Sequence, residues 1–257
     1  MGTIISWTNE TWNPVTGCSK VSEGCRHCYA ESLSSRFGWT KQPWTAPHAA
    51  ENVVCHPIRL RKPYTWKQPK RVFVNSMSDL FHPMVPDEFI AEVFAVMVDL
   101  PQHTFQILTK RPERAATWPG PWAPNIWMGT SVEDHRVVKR IDLLRQCPAQ
   151  TRFISFEPLI GPVGRVDLTG IHWAIVGGES GNGFRPMDHA WARDIADQCA
   201  EHLTAFFFKQ SAARRTEMGT SMIHPDGSRW EWRQFPNDFN EPVQVAPPDP
   251  LLATVPA

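Results

Sequence analysis

From residue 71 onward, short apolar runs alternate with helical patterns, and this rhythm constrains the fold more than any other feature. The runs are RVFVNSMSD (71–79), HTFQILTKRPE (103–113), NIWMGTSVED (125–134), TRFISFEPLIG (151–161), IHWAIVGGESG (171–181) and TAFFFKQ (204–210). Each is an apolar stretch ending in polar or turn residues, the pattern of a strand buried on both faces. A helix is predicted from Pro86-Asp87-Glu88 to Leu100, with Phe89, Ile90, Val93, Phe94 and Met97 on its apolar face; others are predicted over 134–146 and 188–202. A short helix follows 103–113, and a Pro/Gly loop follows 151–161. TIISW (3–7) adds a strand at the start, making seven in series. Continuous apolar strands alternating with helices imply an α/β fold with a parallel, helix-covered sheet. A complete or partial (β/α) barrel of six or seven strands is the economical closure, and a doubly wound open sheet is the alternative.

A chain of 257 residues can bury one large core, and residues 1–240 are expected to form one domain. Residues 34–70 are rich in Pro and Trp without a sustained period, and read as an insertion or lid over that domain. Its basic residues (Arg59, Arg61, Lys62, Lys67, Lys70, with Arg71 following) either face phosphates or form a solvated surface with stems packed on tryptophans. Residues 225–227 suggest a turn before a short strand, and the Pro-rich stretch 241–257 is expected to be disordered. The 26 basic and 26 acidic residues balance, so a nucleic acid would be attracted only by a local patch. No apolar run is long enough to span a membrane and no N-terminal leader pattern is present. Cys55, Cys147 and Cys199 are scattered in apolar or helical patterns, as inert buried thiols are. A cytoplasmic, reducing location is expected.

Cys18, Cys25 and Cys28 are different. They are spaced C-x6-C-x2-C, framed by Gly17 and Gly24, and a helix-like run follows at once. Three thiols in one loop admit three readings. One is a disulfide with a spare thiol; another is a structural zinc with a fourth ligand from Cys55, His27 or His56. The third is an iron–sulfur cluster with one iron open to a small molecule. The strand ends supply polar company: Asn75, Ser76, Ser78 and Asp79; Lys110 and Arg111; Ser131, Glu133 and Asp134; Ser155 and Glu157; Gly177, Gly178 and Glu179; Lys209 and Gln210. In parallel α/β architecture these ends converge on one face, where such folds bind ligands. Ser131, Asp134 and Asp79 suit helix caps. Lys110, Glu157, Glu179 and Lys209 leave buried strands as charges and require partners, Lys110 with Glu157 for instance. Gly177-Gly178 permits close approach of a ligand to the backbone, with Glu179 placed to accept from an amino or hydroxyl group.

The strings WNPVTGC…GCxxCYAE, VFVNSMSDLF, FQILTKRPER, WMGTSVE, FISFEPLIG, IVGGESG and FFFKQ resemble a phage- and prophage-associated three-cysteine-motif family, from about Ser6 to Gln210. That family is in turn similar to radical S-adenosylmethionine (SAM) proteins. The resemblance implies a [4Fe–4S] cluster on Cys18, Cys25 and Cys28, SAM on the fourth iron, an electron donor, and radical chemistry on a substrate. Asn75, Ser78, Gly177, Gly178 and Glu179 are then candidates for SAM contacts. Lys110, Glu157 and Lys209, with Glu133, are candidates for the substrate cavity and its chemistry. Phage association makes a nucleotide, a nucleic acid or a host macromolecule the expected substrate class. The rival is a non-enzymatic module, stabilised by zinc or a cluster, that binds nucleic acid or a host protein. Two features depart from the commonest radical-SAM pattern: the first cysteine gap is six residues rather than three, and the Gly-Gly-Glu comes late.

Overall fold

The computed structural model describes residues 2–238 and 242–245. Twelve strands and six α-helices follow one another along the described chain. The seven that form the main sheet are β1 (Glu10–Trp12), β4 (Arg71–Val74), β5 (Thr104–Thr109), β6 (Ile126–Ser131), β7 (Thr151–Phe156), β8 (Trp173–Gly177) and β9 (Ala205–Gln210). They lie in the order β1-β4-β5-β6-β7-β8-β9, and every neighbouring pair is parallel. The order never reverses, so the sheet curls into a half-barrel, a partial (β/α) barrel. A doubly wound sheet would reverse its order and carry helices on both faces.

Side chains of alternate parity explain the curl. Val72, Val74, Ile107, Met128, Ile154 and Phe208 face the convex side, where α3 (Asp87–Asp99), α4 (Pro112–Thr117), α5 (Arg140–Gln146) and α6 (His189–His202) cover them. Pro86 precedes α3, whose first turn carries Asp87 and Glu88, a charge pattern that suits the helix N-terminus. Asp188 caps α6 by accepting from the Ala190 N–H. The opposite parity supplies Phe73, Phe153, Trp173 and Phe207, which with Trp7 fill the concave side near the strand N-termini. Gly129 makes room there, since a Cβ would lie 2.4 Å from the Phe153 ring.

The first strand is not at residues 3–7. Asn9 takes the register instead, accepting the Arg71 N–H on its side chain (2.8 Å) and donating its own N–H to the Arg71 carbonyl (2.9 Å). Trp7 leaves the sheet and packs against Phe73 with ring centroids 4.7 Å apart and planes inclined by 49°. An apolar run signals burial, and here burial is met by the aromatic floor rather than by strand pairing.

Both sheet edges are covered, which leaves the barrel incomplete. Along β9, Phe208 donates its N–H to Trp232 (2.7 Å) and Gln234 donates to Phe206 (2.9 Å), an antiparallel contact that occupies the edge. Along β1, Arg59 and Lys62 donate to the Asn13 and Thr11 carbonyls. The expected insertion, 34–70, takes in the end of α1 (Tyr29–Arg36), α2 (Ala49–Asn52) and β3 (Val54–Cys55), and β3 pairs with β2 (Val15–Thr16) ahead of the cysteines. Its lower cations serve as surface: Lys62 and Lys70 lie over Trp66 and beside Glu10, and Arg71 lies over Phe235. After β9, β10 (Met222–Ile223), β11 (Arg229–Glu231) and β12 (Val243–Val245) form a separate antiparallel sheet. Val243–Val245, within the stretch expected to be disordered, is therefore a paired strand; residues 241 and 246–257 lie outside the described residues. Among the described residues no helix is long and apolar enough to cross a membrane.

Candidate functional site at the strand C-termini

The cysteine loop begins where β1 ends, and its backbone is stitched to the end of β4. Asn13 accepts the Met77 N–H on its side chain (2.9 Å), the Gly17 N–H donates to the Met77 carbonyl (3.0 Å), and Ser78 Oγ donates to the Val15 carbonyl (2.8 Å). Gly17 has φ +81°, and a Cβ there would sit 1.8 Å from the Asn52 carbonyl oxygen, so only glycine fits. The loop continues through a turn at Glu23–Cys25 to Cys28, which occupies the N-cap of α1. Cys18, Cys25 and Cys28 are free and partly exposed. Cys18 and Cys28 pack beside Ala30, Trp44 and Met77.

The thiols share one electrostatic neighbourhood. Burial, and then the Asp79 carboxylate, push the Cys18 thiol up to about 12; Arg111 opposes this, while Cys25 and Cys28 add to it. Burial also raises Cys28, and Lys110 acts in the other direction. Burial works against the charge of Lys110, but Glu133 and Cys25 outweigh it and hold its pKa above the ordinary lysine range. Among the described residues, no three Cys, His, Asp or Glu side chains are gathered closely enough to hold a metal ion as they stand. The donor set nevertheless fits a soft metal or cluster in its chemistry. Its three unpaired sulfurs lie on one rigidly attached loop with cations beside them.

Beneath the loop, Glu133 is the anchor. Its carboxylate, 1% exposed, accepts from Ser22 Oγ (2.9 Å) and pairs with Lys110 Nζ (3.1 Å) and Arg140 Nη1 (3.0 Å). Gly24 rests on it, since a Cβ would lie 2.3 Å from Glu133 Cγ. Burial alone would raise the Glu133 pKa, and Lys110 and Arg140 outweigh it to hold the carboxyl below its usual range. Lys110 therefore does not pair with the Glu157 carboxylate. It reaches only the Glu157 carbonyl (3.3 Å), while the carboxylate meets Lys209 (2.9 Å) and accepts from Ser155 Oγ (3.1 Å). Lys110, Glu157 and Lys209 do come together on the concave side. Asp79 accepts from Thr109 Oγ1 and the backbone N–H groups of Lys110 and Phe81, tying the ends of β4 and β5.

The other predicted residues divide. Asn75 is 2% exposed with φ +62°; its side-chain oxygen accepts from the Val15 N–H (3.4 Å), and its Nδ2 has no partner among the described residues. A buried donor left unpaired is costly and points to a ligand. Ser78 is used by the loop. Gly178 donates its N–H to Gln210 (2.9 Å), and a Cβ on it would lie 2.2 Å from the Ala212 nitrogen. The close approach at Gly178 is made by the chain itself. Gly177 likewise makes room for the Glu157 carboxylate. Glu179 is engaged: His27 Nδ1 lies 2.9 Å from Oε2, and the Arg185 N–H (2.9 Å) and Nε (3.0 Å) donate to the same oxygen. Arg185 also donates to the Glu23 carbonyl (3.1 Å), so this group holds the loop from the opposite side. Burial is outweighed by Arg185 and His27, leaving Glu179 below the carboxylate range. Sequence reading missed Arg140 and Arg185. A charge on the apolar face of α5 could have flagged the first; the second, in a Gly-rich loop, carried no signal.

No curated protein and no solved structure matches the chain. The family described as "Protein of unknown function (DUF5131)" matches residues 2–236. That span holds the half-barrel, the cysteine loop and both of the loop's anchors. The chain belongs to this family.

Proposed function

We propose that this protein is a radical-SAM-type iron–sulfur enzyme whose site lies at the C-terminal mouth of the half-barrel. The observation that carries the reading is the position of three free thiols on one stitched loop, beside Lys110 and the Glu157–Lys209 pair. The likeness of the motifs to phage-associated three-cysteine proteins supports it. Cys18, Cys25 and Cys28 would hold the cluster, and Lys110 would offset the charge of the thiolates. Asn75 Nδ2 would be the donor to SAM, and Lys110, Glu157 and Lys209 would orient a substrate on the concave side. A bound [4Fe–4S] cluster, once reduced, would supply the electron that cleaves SAM to a 5′-deoxyadenosyl radical. The covered edges and the aromatic floor limit access of water from below.

The test is anaerobic reconstitution, with absorption and electron paramagnetic resonance spectra recorded with and without SAM. A [4Fe–4S] signal that shifts on SAM addition is expected, lost in Cys25→Ala and kept in Cys147→Ala. A colourless protein holding one zinc would favour the non-enzymatic binding module. A cluster indifferent to SAM would remove the radical chemistry.

A further inference from the structure

The balanced net charge conceals an asymmetry. Residues 20–71 carry ten Lys and Arg against three Glu, leaving 16 basic and 23 acidic residues for the rest of the chain. Exposed apolar groups concentrate in the same stretch. Of thirteen large hydrophobic side chains exposed among the described residues, eight lie between Val21 and Tyr64. Several lower cations of this stretch are already engaged along β1, so the surface of interest is the one around α1.

α1 starts at the N-cap Cys28 and ends at Phe37. Gly38, with φ +67°, reverses the chain, and the Trp39 N–H donates back to the Ser34 carbonyl (2.8 Å). The turn lays Trp39 on Phe37 with ring centroids 5.2 Å apart and planes inclined by 25°. Both rings remain more than half exposed, at 57% and 60%. The Arg36 guanidinium sits 5.8 Å from the Phe37 centroid. Arg26, Arg36 and Lys41 form no ion pair among the described residues, while the local carboxylate Glu31 is neutralised by Lys20 (2.8 Å).

Two mutually stacked rings left more than half exposed on a hydrogen-bonded turn, with the Arg36 guanidinium beside them and the unpaired Arg26 and Lys41 on the same stretch of chain, match the surface that stacks unpaired bases and tracks their phosphates. An acidic protein would satisfy the cations but would not require ring faces. A duplex would hide its bases. We infer that the α1 platform binds single-stranded nucleic acid and presents it to the mouth of the half-barrel. This names the substrate class of the proposed site and in that sense rests on that reading. The eight-residue helix separates platform from Cys28 by about 12 Å along its axis, roughly the reach of two to four nucleotides.

The experiment is fluorescence anisotropy on the reconstituted protein with labelled 20-nucleotide single-stranded DNA and RNA, a DNA duplex, and heparin as a polyanion without bases. Single strands are expected to bind tighter than duplex or heparin. Phe37→Ala and Trp39→Ala should each weaken binding about ten-fold. Arg36→Glu and Lys41→Glu should each reduce the slope of log affinity against log salt by about 0.7. Leu203→Ala, which removes an exposed apolar side chain at the other end of the strands, should change nothing. No binding, equal affinity for all polyanions, or indifference to loss of the rings would overturn the inference. The same titration on Cys25→Ala separates the two ideas. Strand binding that survives there shows that the platform does not depend on the cluster, and strand binding by a wild-type chain shown not to cleave SAM leaves the platform standing while the catalytic reading falls. A SAM-responsive cluster without strand binding does the reverse.

Discussion

Glu133 joins two strands, a helix and the cysteine loop through one carboxylate. Its partner Arg140 has a side chain 6% exposed, so removing the acid strands a buried cation. Breaking such a pair costs about 3–5 kcal/mol. Glu133→Ala is expected to destabilise the fold by about that much, read as a lowered melting temperature, and to expose residues 19–27 to limited proteolysis. Glu133→Gln, which keeps the shape and a hydrogen-bond acceptor for Ser22, should fall between the two. An unchanged melting curve in the alanine variant would refute the anchoring role. His82 makes a second residue-level case. It is 2% exposed, its Nδ1 accepts the Met84 N–H (3.1 Å), and Nε2 lies 2.9 Å from Ser19 Oγ, so the neutral ring is the one that fits. Burial first, then Arg111 and Arg114, lower its pKa from 6.5 to about 4. The unfolded chain therefore takes up a proton below pH 6.5 that the folded chain refuses until about pH 4. Stability present above 6.5 is lost as pH falls through that window, on the order of 3 kcal/mol for this group. Melting temperatures measured from pH 7 to 4 should fall less steeply in His82→Asn than in the wild-type chain. Parallel curves would remove His82 as the cause.

Among the elements, the strand edges decide how the sheet ends. β9 is covered by residues 232–235, and the same segment supplies Phe235 to the aromatic floor and a carbonyl at Gln234 that accepts from Trp173 Nε1 (2.8 Å). A chain ending at Thr220 would leave β9 with an open row of N–H and C=O groups, a template for association. That truncation is expected to elute as aggregate in size-exclusion chromatography where the whole chain does not. A monodisperse product would show that the cover is dispensable. The elements also show how far local pattern reaches. Six of the seven sheet strands were legible because a strand buried on both faces must be apolar throughout. Residues 3–7 carried the same composition and were not a strand. Composition reports burial, while the partner that provides it is a matter of the assembled sheet.

At the scale of the molecule, spacing along the chain determined that three thiols share a loop, and alternation determined that polar strand ends converge beside them. Both depend on neighbours in sequence, which is why they could be read there. The same residues did not reveal which charges would meet. Lys110 pairs with Glu133 rather than with the Glu157 carboxylate. Glu179 is taken by His27 and Arg185, and Gly178 accommodates Ala212. Each of these joins residues set by the curl of the sheet and the path of its loops. A buried charge accepts whichever partner that geometry brings within reach. Residue order specifies the class of fold and the donor set. That two anchored carboxylates grip the cysteine loop from either side arises in the folded molecule, because it depends on distances between segments more than a hundred residues apart.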